Sequence, residues 1–301
     1  MAASLTRRDF VAAGLGAAMV AGAQTPRSVI DTHVHFYDPS RPQGVPWPSK
    51  TDALLYRPVL PAEYASLVRP LGITGAVIVE ASSWLEDNQW ILDLMKDHPM
   101  FVGYVGHLEP GTEGFRVNLA RFAKNRLFRG IRVGGADLVK GVSQQPFVDD
   151  LKRLADAGLM MDALGNATMV APLTAIAEKI PHLRIAIDHM PVEPPGWKLE
   201  TMRELASHPQ VFCKASTVLK RVAGEVSEDP VLYKRSLDEL WDIFGADRVM
   251  YGSNWPVSLN LASYSSVFNV VNRYVASRGA ADSDKYFSTN SKACYQWIER
   301  T

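Results

Sequence analysis

The chain has 301 residues, 47% of them hydrophobic and 21% charged, a balance typical of a globular protein that excludes a disordered or fibrous one. Lysine plus arginine and aspartate plus glutamate both total 32, so no long-range field would gather nucleic acid or an anionic membrane surface. A small molecule is the expected partner, and the oligomeric state, monomer or homo-oligomer, stays open.

The first predicted element is an export signal at residues 1–23. Arg7 and Arg8 are followed by a stretch without charge from 11 to 22, and residues 21–23 read Ala-Gly-Ala, a small-x-small cleavage pattern. These are the parts of a twin-arginine signal peptide, and the apolar stretch is too short to span a bilayer. A buried N-terminal helix is the alternative. We therefore expect a periplasmic or secreted protein whose mature domain is residues 24–301.

Short β-branched runs recur in the mature chain, and a longer amphipathic segment follows each of them. The runs predict eight strands, at residues 29–33, 75–81, 101–107, 128–133, 158–163, 183–189, 210–216 and 248–254. The segments between them predict helices at residues 61–71, 85–98, 114–125, 146–157, 169–180, 198–208 and 231–244. Two further helices are predicted at residues 264–276 and 283–297.

Eight strands alternating with helices predict a single-domain α/β fold, the (β/α)8 TIM barrel. Parallel strands need crossover connections, and eight such units close into a barrel of about 250 residues. A doubly wound open sheet would usually carry a glycine-rich turn after its first strand, whereas this strand ends in Thr32-His33-Val34-His35. The proline-rich residues 37–58, which include Trp47, read as a long loop over the barrel mouth.

Polar and ionisable residues collect at the ends of the predicted strands, where a barrel of this kind carries its site. In strand order they are Asp31, His33, His35, Glu80, Ser82, Ser83, His107, Glu109, Arg132, Asp162, Asn166, Asp188, His189, Lys214, Ser216, Ser253 and Asn254. A strand that only fills a core has little reason to end in this way. This clustering is the main functional signal that the residues themselves provide.

His33 and His35 are two residues apart on one strand, so their side chains share a face. That spacing lets two imidazoles share one substrate or one metal ion, and imidazole suits zinc and similar ions. A lone His-x-His pair is weak evidence, but His189 at the end of the sixth strand adds a third imidazole. We predict that these three histidines form the reaction centre.

Several motifs resemble the amidohydrolase-related family of sugar-lactone and pyrone-dicarboxylate lactonases. The resemblance runs from about residue 29 to the last helix. It is carried, in family order, by Ile30-Asp31-Thr32-His33-Val34-His35, Arg129-Gly130-Ile131-Arg132, Ile187-Asp188-His189, Cys213-Lys214-Ala215-Ser216 and Tyr251-Gly252-Ser253-Asn254-Trp255-Pro256-Val257. It implies a (β/α)8 barrel that hydrolyses the ester of a lactone ring.

The same resemblance implies roles for the predicted site residues. His33, His35 and His189 would polarise the lactone carbonyl, either directly in a metal-free site or through one divalent ion such as zinc or manganese. Arg132 would hold a carboxylate or hydroxyl of the substrate. Glu80, His107, Lys214 and Trp255 complete the predicted substrate-binding set, although His107 and Trp255 also suit simple packing, and a buried Lys214 would pair with Asp188 or Glu80.

The eighth strand departs from the family pattern at Asn254, where the family usually carries an aspartate that activates water or binds metal. An amide accepts no proton at neutral pH and is a poor metal ligand. Glu80, Glu109 or Asp188 would then replace the base, or a metal would generate hydroxide, or catalysis would be slow. Arg132 and Asp162 stand where larger relatives carry a bridging lysine and a histidine, which makes a two-metal site improbable.

Three functions follow from these residues. The first is hydrolysis of a small oxygen-rich lactone, with Asn254 kept among the catalytic residues. The second is a metal-dependent non-oxidative decarboxylation of the kind that related barrels perform. The third is a catalytically impaired periplasmic binding protein. Product analysis separates the first two, because ring opening releases acid whereas decarboxylation releases carbon dioxide.

Overall fold

The computed structural model describes residues 28–189 and 196–300. The predicted export signal at residues 1–23 lies outside the described residues. Among the described helices, none is both long and apolar enough to cross a membrane.

Eight parallel strands form one sheet that curls into a barrel. In spatial order they are β1 (Ile30–Val34), β2 (Gly75–Val79), β3 (Phe101–Gly106), β4 (Phe128–Gly134), β5 (Met160–Leu164), β6 (Ile185–Ile187), β7 (Val211–Ala215) and β10 (Val249–Tyr251). The ring closes where β10 meets β1, through a parallel bridge between Val34 and Trp255 and a hydrogen bond from Asn254 N to His33 O. The predicted (β/α)8 barrel is confirmed.

The helices surround the sheet. They are α1 (Pro61–Val68), α2 (Asp87–Leu94), α3 (Phe115–Phe122), α4 (Gly135–Gly141), α5 (Gln145–Asp156), α6 (Val170–Lys179), α7 (Leu199–Ala206), α8 (Val231–Phe244), α9 (Tyr264–Arg278), α10 (Ala280–Asp284) and α11 (Asn290–Tyr295). Short 3-10 turns lie at Arg69–Leu71, Ala167–Met169 and Val257–Asn260, and a π-helical turn at Lys285–Thr289. A two-stranded hairpin, β8 (Arg221–Val222) and β9 (Glu225–Val226), follows β7.

Apolar side chains are buried on both faces of the sheet, which is why its strands read as continuous hydrophobic runs. One cluster fills the barrel and includes Ile30, Val77, Val105, Met160 and Met250, with Tyr295 and Trp297 of the chain's last turns packed against it. A larger cluster joins the outer face of the strands to the helices. Because the barrel interior is filled by apolar side chains, a functional site is expected at the polar C-terminal ends of the strands.

The structure corrects several predicted boundaries. The sixth and eighth strands end at Ile187 and Tyr251, earlier than predicted, and the predicted end residues His189 and Asn254 have left-handed backbones with φ of 68° and 57°, outside the β conformation. Helix α4 and the β8–β9 hairpin were not predicted. The last predicted helix, 283–297, is divided by the π-helical turn and ends at Gln296, whose φ is 49°.

Candidate active site

The C-terminal ends of the barrel strands surround a cavity of about 460 Å³. Five of the nine predicted site residues line it, and they come from five different strands or strand ends: His35, Glu80, Arg132, His189 and Asn254. The remaining wall consists of Pro46, Trp47, Ala81, Ser83, Leu164 and Val257. The cavity therefore lies at the barrel mouth, and the predicted loop of residues 37–58 supplies one of its walls.

The three predicted imidazoles meet at this mouth. The Nε2 atoms of His33 and His35 are 3.2 Å apart, and the centroid of the His189 ring lies 4.9 Å from that of His33. His35 Nδ1 is 3.0 Å from the carbonyl oxygen of Val79. Because a carbonyl only accepts, His35 carries its proton on Nδ1 and a lone pair on Nε2. His33 is fully buried and lies behind the two histidines that line the cavity.

Lys214, a predicted substrate-binding residue, lies beneath the histidines, where it is fully buried and does not line the cavity. Its Nζ is 2.5 Å from Asp162 Oδ2, 2.8 Å from Asp188 Oδ1 and 3.2 Å from His33 Nδ1. The ammonium therefore has hydrogen bonds to Asp162 and His33 and a further ion pair with Asp188. The residue sits inside β7 rather than at its end, where a buried cation requires partners.

The shorter contact of His33 Nδ1, to Lys214 rather than to Asp188, favours one set of protons. Lysine only donates, so His33 Nδ1 accepts and the His33 proton sits on Nε2, where it faces the lone pair of His35. Burial lowers the pKa of His35 to about 3 and that of His189 to about 4, with Arg132 adding to both shifts. Burial and then Lys214 also hold the pKa of His33 well below its ordinary 6.5. All three rings are therefore neutral near pH 7.

The two carboxylates that share the Lys214 ammonium have pKa values shifted in opposite directions. Burial raises the pKa of Asp162 to about 7, against the opposing effect of Lys214. Burial would also raise the pKa of Asp188, but Lys214 and then His33 outweigh it and hold that pKa well below its usual range. Asp188 therefore carries the negative charge next to His33, with its Oδ1 3.4 Å from His33 Nδ1.

Arg132 spans the wall of the cavity and is held by Glu80. Its Nε donates to Glu80 Oε1 at 2.7 Å and its Nη2 to the Glu80 carbonyl at 2.8 Å, while Nη1 lies 3.9 Å from Asp188 Oδ2. Burial lowers the pKa of Arg132, but the Glu80 and Asp188 carboxylates outweigh it and raise the pKa overall. A guanidinium that is charged and held in place beside the imidazoles is suited to bind an oxygen-rich ligand.

The remaining predicted substrate-binding residues do not line this cavity. Trp255 is fully buried and packs on Tyr64 and Phe36, with ring centroids 5.4 and 5.9 Å away. It is a core residue because the chain bridges back to β1 at this point. His107 lines two neighbouring cavities of about 260 and 210 Å³, and the larger one shares Arg132 with the site.

Asp31 joins the ends of β1 and β10 rather than facing the ligand. Its Oδ1 accepts from the backbone N–H groups of His33 and Ser253, and its Oδ2 accepts from the hydroxyls of Tyr64 and Tyr264. Gly252 lets the segment after β10 lie close to β1, because a Cβ at this position would be 2.9 Å from His33 Cβ. These contacts hold the first histidine in place.

Two parts of the site were missed or left open by sequence reasoning. Thr217 had not been singled out, yet its Oγ1 lies 3.1 Å from His189 Nδ1 and 3.2 Å from Asn254 Nδ2. Its position directly after Ser216, at the end of a strand, was the available signal. Trp47 lines the cavity and packs edge-on against His35, with the ring centroids 6.0 Å apart. No local sequence pattern predicts this contact between the long loop and β1.

The described residues do not fit a tightly held catalytic metal. Catalytic zinc usually takes three protein ligands, and within the described part of the chain no three His, Cys, Asp or Glu side chains form such a group. The His33 Nε2 proton occupies the His35 lone pair, and Asn254 replaces the carboxylate at the eighth strand. The predicted metal set of His33, His35 and His189 brings three rings together, but the Nε2 atoms of His33 and His35 are hydrogen-bonded to each other at 3.2 Å.

Comparisons with known proteins agree with this architecture. The amidohydrolase family model matches residues 30–297. An L-fucono-1,5-lactonase of Burkholderia ambifaria is 30% identical over 242 residues, which cover 76% of this chain and 80% of that protein. A second L-fucono-1,5-lactonase, from Burkholderia multivorans, is 26% identical over 88% of this chain and 95% of its own. A crystal structure of a Burkholderia multivorans amidohydrolase with bound zinc matches with a TM-score of 0.79 and 24% identity, covering 90% of this chain and 100% of that one.

Proposed function

This chain belongs to the amidohydrolase family, and from that membership we propose that it is a lactonase that opens a small, hydroxyl-rich sugar lactone with water. The two L-fucono-1,5-lactonases among its relatives support this substrate class. The observation that carries the proposal is the cavity itself, in which neutral imidazoles and one held arginine face a space large enough for a single sugar ring.

The side chains of the cavity suit addition of water to a carbonyl. His189 supplies a donor where negative charge develops on the carbonyl oxygen, and Arg132 holds an oxygen of the bound substrate. Asn254 can accept a hydrogen bond from the attacking water but not its proton. Water adds to the carbonyl carbon, the ring C–O bond breaks, one water proton ends on the former ring oxygen, and the new carboxylic acid releases its proton to solvent. No step requires a metal ion.

The carboxylates predicted to replace the missing base are all engaged or distant. Glu80 is bonded to Arg132, Asp188 is buried behind His33, and Glu109 is an exposed residue of the neighbouring cavity. We therefore propose that turnover depends on polarisation of the carbonyl and on orientation of the substrate rather than on a strong base.

A panel of sugar lactones tests the proposal. Purified protein, treated with a chelator, is incubated with five- and six-membered sugar lactones while acid release is followed by a pH indicator. We expect hydrolysis that the chelator does not abolish, a loss of roughly a hundredfold or more in His189→Gln, and none in His182→Gln, an exposed histidine that pairs with Asp156.

Three results would contradict this function. Acid release from no lactone removes the lactonase proposal. Evolution of carbon dioxide from aromatic carboxylic acids, without acid release from lactones, favours the decarboxylase alternative instead. Activity that disappears with the chelator and returns with zinc or manganese contradicts the metal-free course, while leaving the substrate class in place.

We further propose that the protein is exported through the twin-arginine route, a location supported by Arg7, Arg8 and the small-x-small sequence at residues 21–23. Expression in a bacterium with this pathway should deliver a chain that begins after Ala23 to the periplasm or medium. The double change Arg7→Lys and Arg8→Lys should leave the precursor in the cytoplasm, whereas Arg116→Lys on the exposed face of α3 should not. Equal fractionation of all three proteins would contradict the proposal.

A further inference from the structure

Three residues with left-handed backbones lie together at the barrel mouth, and two of them, His189 and Asn254, line the cavity. His189, Thr217 and Asn254 have φ of 68°, 58° and 57°, and they follow the neighbouring strands β6, β7 and β10. The other non-glycine residues of this kind in the described ranges, Ala223 and Gln296, lie in a hairpin turn and at a helix end. Threonine is rarely left-handed because it is β-branched, and such strain persists mainly where surrounding contacts impose it.

The side chains of these three residues are hydrogen-bonded to one another. Asn254 Nδ2 donates to Thr217 Oγ1 at 3.2 Å, and Thr217 Oγ1 lies 3.1 Å from His189 Nδ1. The amide nitrogen only donates, so the Thr217 hydroxyl keeps its own proton for a second partner. His189 Nδ1 is the partner within reach.

Ser216 gives a second and stronger indication that His189 Nδ1 accepts a hydrogen bond rather than donating one. It is fully buried, and its Oγ lies 2.9 Å from His189 Nδ1, the one hydrogen-bond partner that the described residues give it. If Nδ1 carried a proton, the serine hydroxyl proton would be buried without an acceptor, which costs about 1 to 3 kcal/mol. The buried Ser216 hydroxyl is therefore satisfied only when Nδ1 holds a lone pair, and the exposed Thr217 hydroxyl can share that lone pair.

We propose that Ser216 and Thr217, the latter hydrogen-bonded to Asn254, are positioning residues that fix His189 as the tautomer with its proton on Nε2. The ring then presents a hydrogen-bond donor to the cavity rather than a lone pair, so His189 stabilises the developing oxyanion and neither binds a metal nor accepts a proton. This role rests on the proposed lactonase function. It also explains an amide at position 254, because a carboxylate there would take the Thr217 proton away from His189.

The test measures the tautomer directly, without substrate. Protein labelled with nitrogen-15 in its histidine side chains is studied by long-range proton–nitrogen correlation near neutral pH, and the His189 signals are assigned by their loss in His189→Gln. We expect an unprotonated Nδ1 and a protonated Nε2 in the wild type. The double variant Ser216→Ala and Thr217→Val should show a mixture of both tautomers, whereas Thr217→Ser, which keeps the hydroxyl, should match the wild type.

Kinetics on a hydrolysed lactone provide the second readout. The double variant should lose roughly tenfold to a hundredfold in kcat with a smaller change in KM, and Thr217→Ser should retain most of the wild-type kcat. Should the double variant fail to fold, the single variants Ser216→Ala and Thr217→Val carry the same comparison, each with a smaller shift toward the mixed tautomer.

The outcomes separate this inference from the proposed function. A wild-type His189 with its proton on Nδ1, or hydroxyl-free variants with an unchanged tautomer, would overturn the inference even if lactones are hydrolysed. The expected tautomer in a protein that hydrolyses no lactone would support the positioning role and contradict only the substrate class.

Discussion

At the scale of single residues, Arg132 is the side chain whose replacement should most clearly separate binding from chemistry. Two of its nitrogens are held by Glu80, and it borders both the site cavity and the neighbouring one. Arg132→Lys keeps the charge but loses the planar fork. We expect KM for a hydrolysed lactone to rise roughly tenfold to a hundredfold, corresponding to about 1.5 to 3 kcal/mol, with a smaller change in kcat.

A matched control lies on the same strand. Arg129 is also on β4, but its side chain donates to the carbonyl oxygens of Tyr295 and Arg126 and does not line the cavity. Arg129→Lys should leave KM unchanged. An unchanged KM in Arg132→Lys, with both variants folded, would show that Arg132 serves only to pair Glu80.

The sequence could predict which residues meet but not how deep each one lies. The His-x-His spacing and the strand-end positions of Arg132 and His189 placed these residues at the mouth. Lys214 was also predicted to lie at the end of a strand, yet its side chain lies within β7 and below the histidines. A difference of two positions along a strand moves a side chain from one layer of a barrel to the next, and sequence boundaries are not accurate to that level.

At the scale of elements, every predicted barrel strand exists, because most of these runs are apolar, rich in β-branched residues and buried on both faces. Helix α4 was missed because Gly135–Gly141 begins and ends with glycine, a composition that disfavours helix. The β8–β9 hairpin was missed because each of its strands has only two residues. Both elements owe their structure to the surrounding fold rather than to local preference.

The loop of residues 37–58 was predicted as a loop and as a cover of the mouth, and both features are present. What the sequence could not supply was its contact with the site. Trp47 reaches His35, and Tyr37 packs against Trp47 at 5.2 Å, so the loop is tied to β1 by aromatic contacts. Contacts of this kind depend on the path of the loop, which no periodic pattern encodes.

At the scale of the whole molecule, the buried neutral histidines should make the fold sensitive to acid. The folded pKa is about 3 for His35 and about 4 for His189, and it is also lowered for His33, against an ordinary value of 6.5. Between about pH 4 and about pH 6.5 the unfolded chain therefore binds up to three more protons here than the folded chain. Stability must fall as the pH falls through this window.

Two carboxylates oppose this trend. Burial raises the pKa of Asp162 to about 7 and also raises that of Asp31, so on acidification the folded chain takes up protons at these positions at a higher pH than the unfolded chain. The net difference is then one to two protons. The free energy of unfolding should decrease by about 1 to 3 kcal/mol for each pH unit below about 6.5, a large share of the roughly 5 to 15 kcal/mol that stabilises a typical domain.

Urea denaturation of the chelator-treated protein at several pH values between about 7 and about 5 measures this slope. The urea midpoint should fall steadily on acidification, and His189→Gln, which removes one of the three imidazoles, should reduce the slope by about one proton. A buried imidazole that stayed protonated in the folded protein would add nothing to the dependence of stability on pH. A urea midpoint that is flat or rises toward pH 5 would therefore show that the histidines at the mouth are charged. A charged cluster would in turn be incompatible with the neutral hydrogen-bond chain from Lys214 through His33 to His35.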